Sequence, residues 1–284
     1  MSMSSHNPFA ALKFRYHILS AFVLINVAVL GIYIVLGYRQ WLPWSLNDQL
    51  WIPLQFIATF GLLCITLWLC GRRAGLELTR VFGPAPNFSV PYGLLLTLSI
   101  LIFSLSSFLL VFYPISLLAP EFVTERLTEQ ILAVETAFPN LYRYLMLFVV
   151  VIFAPLAEEF VFRGILLQRW AVRWSLPVGI ISSSLLFGLL HINNPVGLTM
   201  FGLIMALLYV RTRSLWVPII AHGFNNLISV APELLVTTPQ SYALEDLQKS
   251  WWIGLVGLII SLPTLVIFIR RTWPRHHEKP PYFT

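Results

Sequence analysis

The chain has 284 residues, 58% of them hydrophobic and only 11% charged, with a mean hydropathy of +0.80. An ordinary soluble domain carries about 25% charged residues, so a soluble globular fold is excluded. The net charge of +6 is scattered through short loops with no aromatic-interleaved basic patch, which argues against nucleic acid as a partner and makes the charge a reporter of membrane topology.

The apolar runs are continuous, not alternating, so the expected fold class is all-α: a polytopic membrane helical bundle. Residues 1–17 form a polar N-terminal tail with Lys13 and Arg15. The run at 18–36 is too long for a signal-peptide core and lacks a small-residue cleavage site, so it reads as an uncleaved first span. Spans at 51–70 and 92–112 follow, bounded by Trp or Tyr as at membrane interfaces. The connection at 113–140 carries Glu121, Glu125, Glu129 and Glu135 and is expected to form an acidic, partly helical outer loop. A fourth span starts near Tyr142 and contains Pro155, a kink signal. Apolar segments at 178–190, 196–210, 216–230 and 251–269 complete a count of about eight, each run being judged against the roughly 20 residues needed to cross a bilayer core. Cys64 and Cys70 are six positions apart in one run, on different helix faces, so neither a disulfide framework nor a Cys-based metal site is expected.

Positive charge tests that count. With both termini cytoplasmic, the inner segments hold 14 of the 18 Lys and Arg, leaving Arg39, Arg126, Arg143 and Lys249 outside, where eight acidic residues, Asp48, Glu233, Glu245 and Asp246 among them, also lie. The bias supports eight spans in a bacterial-type cytoplasmic (inner) membrane. The organisation expected is therefore the tail at 1–17, N-terminal spans and the acidic outer loop at 18–140, a catalytic core at 141–230, and a final outer loop, span and basic tail at 231–284.

Ionisable side chains at membrane depth are costly and mark function by default. They concentrate in Glu158-Glu159-Phe160-Val161-Phe162-Arg163, in Phe187-Gly188-Leu189-Leu190-His191, and in His222-Gly223-Phe224-Asn225-Asn226; the other histidines, His6, His17, His276 and His277, lie in or near the tails. Residues four apart share a helix face and neighbours are rotated by about 100°. Glu159 is therefore expected to pair with Arg163 as a brace, leaving Glu158 pointing elsewhere as a general base for water. His222 and Asn226 share a face and suit an oxyanion site; His191, one turn beyond Phe187, supplies a second base. Each group alone also has an ordinary structural reading, as ion pair, helix end or interhelical hydrogen bond; jointly they suffice for peptide-bond hydrolysis. No cofactor is expected. A zinc or other divalent ion held by Glu158, His191 and His222 is the alternative, although there is no H-E-x-x-H and the three come from separate spans.

These three motifs, in this order, resemble those of the type II CAAX prenyl endopeptidase family and its bacterial relatives, the Abi or CPBP intramembrane proteases. The resemblance covers roughly residues 140–230; residues 1–140 match only in being apolar spans. It implies an intramembrane endopeptidase in which Glu158 and His191 activate water, His222 and Asn226 stabilise the oxyanion, and Glu159, Arg163 and Phe187 support the site. The implied partners are membrane lipid and a membrane-associated or lipidated peptide or protein. A proton-coupled transporter, or a non-catalytic immunity or scaffold protein, is the alternative; nothing resembles the paired inverted repeats of a transporter.

Overall fold

A backbone in lipid must satisfy its own N–H and C=O groups, and every regular element among the described residues is helical. The structure, a computed structural model, describes the chain except residues 1–6, 12–13, 43–47, 87, 129, 133, 236–242 and 276–277. His6, Lys13, Glu129, His276 and His277 lie outside the described residues. The helices are α1 (Pro8–Ala11), α2 (Phe14–Tyr38), α3 (Trp51–Arg73), α4 (Leu78–Phe82), α5 (Val90–Leu118), α6 (Pro120–Thr128), α7 (Pro139–Arg173), α8 (Leu176–Leu190), α9 (Pro195–Thr212), α10 (Trp216–Leu235), α11 (Leu244–Ser250) and α12 (Trp252–Thr272), followed by a 3₁₀ turn at Pro281–Phe283.

Long helices stand at all eight expected positions, and the protein is an integral membrane helical bundle. Five of them, α3, α5, α7, α9 and α12, are long and apolar enough to cross a membrane; Phe22–Tyr38 and Leu176–Leu190 are shorter apolar helices. The remaining one, α10, carries a polar face with His222, Asn225, Asn226 and Glu233. The main core lies where α7, α8 and α9 meet, around Ile165, Ile180, Phe187, Phe201 and Met205, all at most 2% exposed.

The outer loops are stapled by acids. Asp48 accepts hydrogen bonds from Leu50 N (2.8 Å), Thr136 Oγ1 (2.5 Å) and Ala137 N (2.6 Å), and Glu233 accepts from Ile131 N and Leu132 N. Part of the acidic connection forms α6, whose Val123 packs with Leu109, Phe112 and Leu247 in a second, smaller apolar cluster. At the opposite end the expected tails are folded: Phe9 of α1 packs edge-on against Tyr282, whose hydroxyl accepts from Glu77 N at 3.1 Å.

Pro155 does more than kink α7. The helix widens to a π-helix at Val149–Phe153 and again at Phe160–Leu167, bracketing the turn with both glutamates. In the first wide turn Ala154 N donates to Val149 O, and Pro155 has no N–H, so Val150 O is left without an intrahelical donor. Asn226 Nδ2 takes it at 2.9 Å. Gly223 makes that crossing possible, since a Cβ there would lie 2.6 Å from Val151 O.

Two outcomes follow. Gly223→Ala should destabilise the protein by about 1–3 kcal/mol through the overpacked α7–α10 contact, read as a lower Tm in detergent, whereas Gly31→Ala, with nothing within 4 Å of its Cβ, should leave Tm unchanged or raise it. The second concerns acid. Burial raises the Asp48 pKa, but the hydrogen bonds from Thr136, Ala137 and Leu50 outweigh it, holding the carboxyl below its ordinary 3.8. A depressed carboxyl contributes stability above its unfolded pKa and loses it as pH falls through the folded pKa. Asp48→Asn should therefore lower Tm near about pH 7 and lose its effect as the pH falls through the folded carboxyl pKa, which lies below 3.8.

Candidate active site

Four buried side chains from two helices form the centre. Arg163 Nη1 donates to Glu159 Oε1 at 2.8 Å with both side chains fully buried, and Arg163 Nη2 donates to Gly202 O at 3.0 Å. The same Glu159 oxygen accepts from His222 Nδ1 at 2.9 Å. With Nδ1 as the donor, His222 presents Nε2, which lies 3.8 Å from Glu158 Oε2.

The expected Glu159–Arg163 pair is present, and the structure adds a link between the two glutamates. Their side chains do leave α7 in different directions, but one imidazole from α10 spans both, so Glu159 orients His222 as well as pairing with Arg163. One amide hydrogen of Asn226 is committed to Val150 O and its Oδ1 accepts from Asn225 Nδ2 at 3.4 Å, which leaves the other amide hydrogen as the donor that the His222–Asn226 spacing offers. The freed carbonyl behind Pro155 could not be read from helical spacing.

Phe187 is the hub. The Arg163 guanidinium lies 4.7 Å from its ring centroid, the His191 ring 4.4 Å and the His222 ring 6.0 Å. A phenyl ring can hold a cation on its face and pack two imidazoles without competing for their hydrogen bonds. Phe201, absent from the sequence reading, packs edge-on against His222 at 4.7 Å; nothing in its apolar surroundings in the chain distinguishes it. His191 terminates α8, and its Nδ1 lies 2.7 Å from Phe187 O. A carbonyl only accepts, so Nδ1 carries the hydrogen and Nε2 keeps its lone pair. The turn after His191 is anchored by Asn194, which caps α9 through Gly197 N and donates to Ser104 O of α5 at 2.9 Å.

Glu158 and His191 line one cavity of about 770 Å³, walled by Phe22, Phe56 and Phe60 of α2 and α3 and by the α7 face from Val161 to Trp174. A carboxylate and an imidazole with a basic nitrogen at the wall of an apolar chamber can take a proton from water. Glu159 and Phe187 O hold the Nδ1 atoms of the two histidines, which leaves each Nε2 as the atom that can meet water, substrate or a metal ion; among the described residues no three His, Cys, Asp or Glu side chains gather as a ligand set.

The buried pair generates a stability prediction. Arg163→Met leaves the buried Glu159 without its guanidinium partner and with only the His222 hydrogen bond, which should cost about 3–5 kcal/mol. Glu159→Gln combined with Arg163→Met should recover a measurable part of that loss in thermal unfolding; full additivity of the two single losses would contradict the coupling.

Comparison with known proteins falls on this region. Residues 140–228 match the family model described as type II CAAX prenyl endopeptidase Rce1-like. The chain is 34% identical over 109 residues to the Bacillus subtilis (strain 168) protein named "Putative membrane peptidase YdiL", a match covering 38% of this chain and 43% of that protein, so it spans under half the length of the curated relative. No solved structure matches. The resemblance carried by the three motifs is thus borne out over residues 140–228, which hold all three motifs: there this chain is similar to the Rce1-like type II CAAX prenyl endopeptidases.

Proposed function

We propose that the protein is an intramembrane endopeptidase of the cytoplasmic membrane of a bacterium, hydrolysing peptide bonds of membrane-associated or lipidated peptides with water activated by Glu158 and His191. The observation that carries the reading is their shared cavity, with His222 Nε2 3.8 Å from Glu158. The similarity to a membrane peptidase family over residues 140–228 supports it.

The chemistry needs no group beyond this chain. Glu158 takes a proton from water, with the His191 Nε2 lone pair assisting, and the water oxygen bonds to the substrate carbonyl carbon while the carbonyl electron pair moves onto oxygen. A charged His222, stabilised through Nδ1 by Glu159, donates from Nε2 to that oxyanion. The second amide hydrogen of Asn226 is the further donor, positioned by the bond to Val150 O. Collapse of the tetrahedral intermediate breaks the C–N bond, and the proton held by Glu158 passes to the leaving amine. Glu159, Arg163 and Phe187 act by positioning.

The test is cleavage of lipidated reporter peptides by the purified protein in detergent. Glu158→Gln and His191→Ala should each lower kcat by about 10²–10⁴ with Tm unchanged, while His222→Ala and Glu159→Gln should lower both activity and Tm, since each breaks the Glu159–His222 link between α7 and α10. Activity should also survive chelation of divalent ions. Retained activity in all three single variants would sink the mechanism, and loss on chelation restored by zinc would replace water activation by Glu158 with a metal route.

A further inference from the structure

The cavity is electrically polarised along its length. The wall that α7 contributes is Glu158, Val161, Phe162, Leu166, Arg169, Trp170 and Arg173, and within it Glu158, Phe162, Leu166, Arg169 and Arg173 follow one another at steps of three or four residues. A carboxylate stands at one end and two guanidinium groups one turn apart stand at the other, with apolar side chains between. Glu158 is buried, Arg169 half-buried and Arg173 exposed, the Arg173 guanidinium lying 5.4 Å from the Trp174 ring. Arginines at cytoplasmic helix ends ordinarily report topology alone, and Arg72, Arg73, Arg211, Arg270 and Arg271 do that. Arg169 and Arg173 differ in lining the same chamber as Glu158 and His191.

We infer that Arg169 and Arg173 are specificity-determining residues that bind an acidic group of the substrate peptide, with the intervening apolar segment filling the cavity. The inference rests on the proteolytic reading of the site and adds to it a substrate class: apolar peptides carrying a carboxylate at a set distance from the cleaved bond. Two guanidinium groups one turn apart can hold a carboxylate by charge-assisted hydrogen bonds, for which the planar fork is suited. The distance follows from the helix. Eleven to fifteen residues separate Glu158 from the two arginines, at most about 16–22 Å at the α-helical 1.5 Å per residue because the π turns at Phe160–Leu167 are shorter per residue, and an extended peptide covers that in about five or six residues. An anionic lipid headgroup would meet the same guanidinium groups from the membrane surface; the substrate is favoured because the arginines continue the wall that begins at the water-activating carboxylate.

The test uses the full-length protein in nanodiscs and a set of labelled Leu/Ala-rich peptides in which one Asp is moved from about three to about nine residues from the cleaved bond, each paired with its Asn counterpart. Asp at about five or six residues should lower KM about tenfold relative to Asn, equivalent to about 1.4 kcal/mol, with kcat unchanged. Arg169→Gln with Arg173→Gln should erase that ratio while cutting the Asn peptides as before, and Arg169→Glu with Arg173→Glu should transfer the preference to Lys at the same position. A KM independent of Asp position, or a preference that survives the double Gln variant, overturns the inference. So does an effect of phosphatidylglycerol, against phosphatidylcholine, that depends on the arginines and changes all peptides equally, since it assigns them to lipid. Binding of the same peptides to the Glu158→Gln protein, read by fluorescence anisotropy, separates the two readings. An Asp preference in binding without cleavage by the unsubstituted protein overturns proteolysis and keeps the anion site; cleavage without the preference does the reverse.

Discussion

The structure depends on a chain of buried charge, Arg163 to Glu159 to His222. A guanidinium and a carboxylate at membrane depth are tolerated when they satisfy one another, and here Glu159 Oε1 accepts from both Arg163 and His222. That shared oxygen ties α7 to α10, while Arg163 Nη2 reaches Gly202 O of α9. Phe187 closes the arrangement from α8. Four helices are thus fixed relative to one another by the contacts that aim the His222 imidazole at Glu158, so stability and site geometry are coupled at the same atoms.

The helices and one ion pair were legible from composition and spacing, because both are local properties. Apolar runs of sufficient length become helices in lipid, and i,i+4 spacing puts Glu159 beside Arg163. The bridging of two adjacent glutamates by His222 is a tertiary fact, set by where α10 crosses α7, and no spacing within α7 could reveal it. Pro155 was legible as a disturbance but not for its consequence, since which carbonyl it frees depends on the helix widening to π geometry around it. Asn226 was singled out by its spacing from His222, and its bond to Val150 O required the neighbouring helix. The packing of Phe9 against Tyr282 escaped the sequence reading because the apolar residues of these two segments are isolated among polar ones and carry no periodic signal.

The cavity divides the molecule differently from the family match. Residues 140–228 contain the whole charged centre, but Phe22, Phe56 and Phe60, which wall the chamber, come from α2 and α3. Chemistry and chamber shape are therefore drawn from separate parts of the chain. Aromatic substitutions in α2 and α3 can alter what fits beside Glu158 while leaving every hydrogen bond of the charged centre in place.

The packing of Phe9 against Tyr282 also sets a schedule for biosynthesis. Phe9 is fully buried, and its ring contacts are to Tyr282 and Phe283, while α1 packs on the end of α7 that carries Arg169 and Arg173. Residues far apart in the chain meet there, and the ring contacts of Phe9 to Tyr282 and Phe283 form only once those residues have been synthesised. Closing so long a loop is entropically costly. The charged centre at 158–226 precedes residue 282 in the chain, so all of its residues are made before this contact forms.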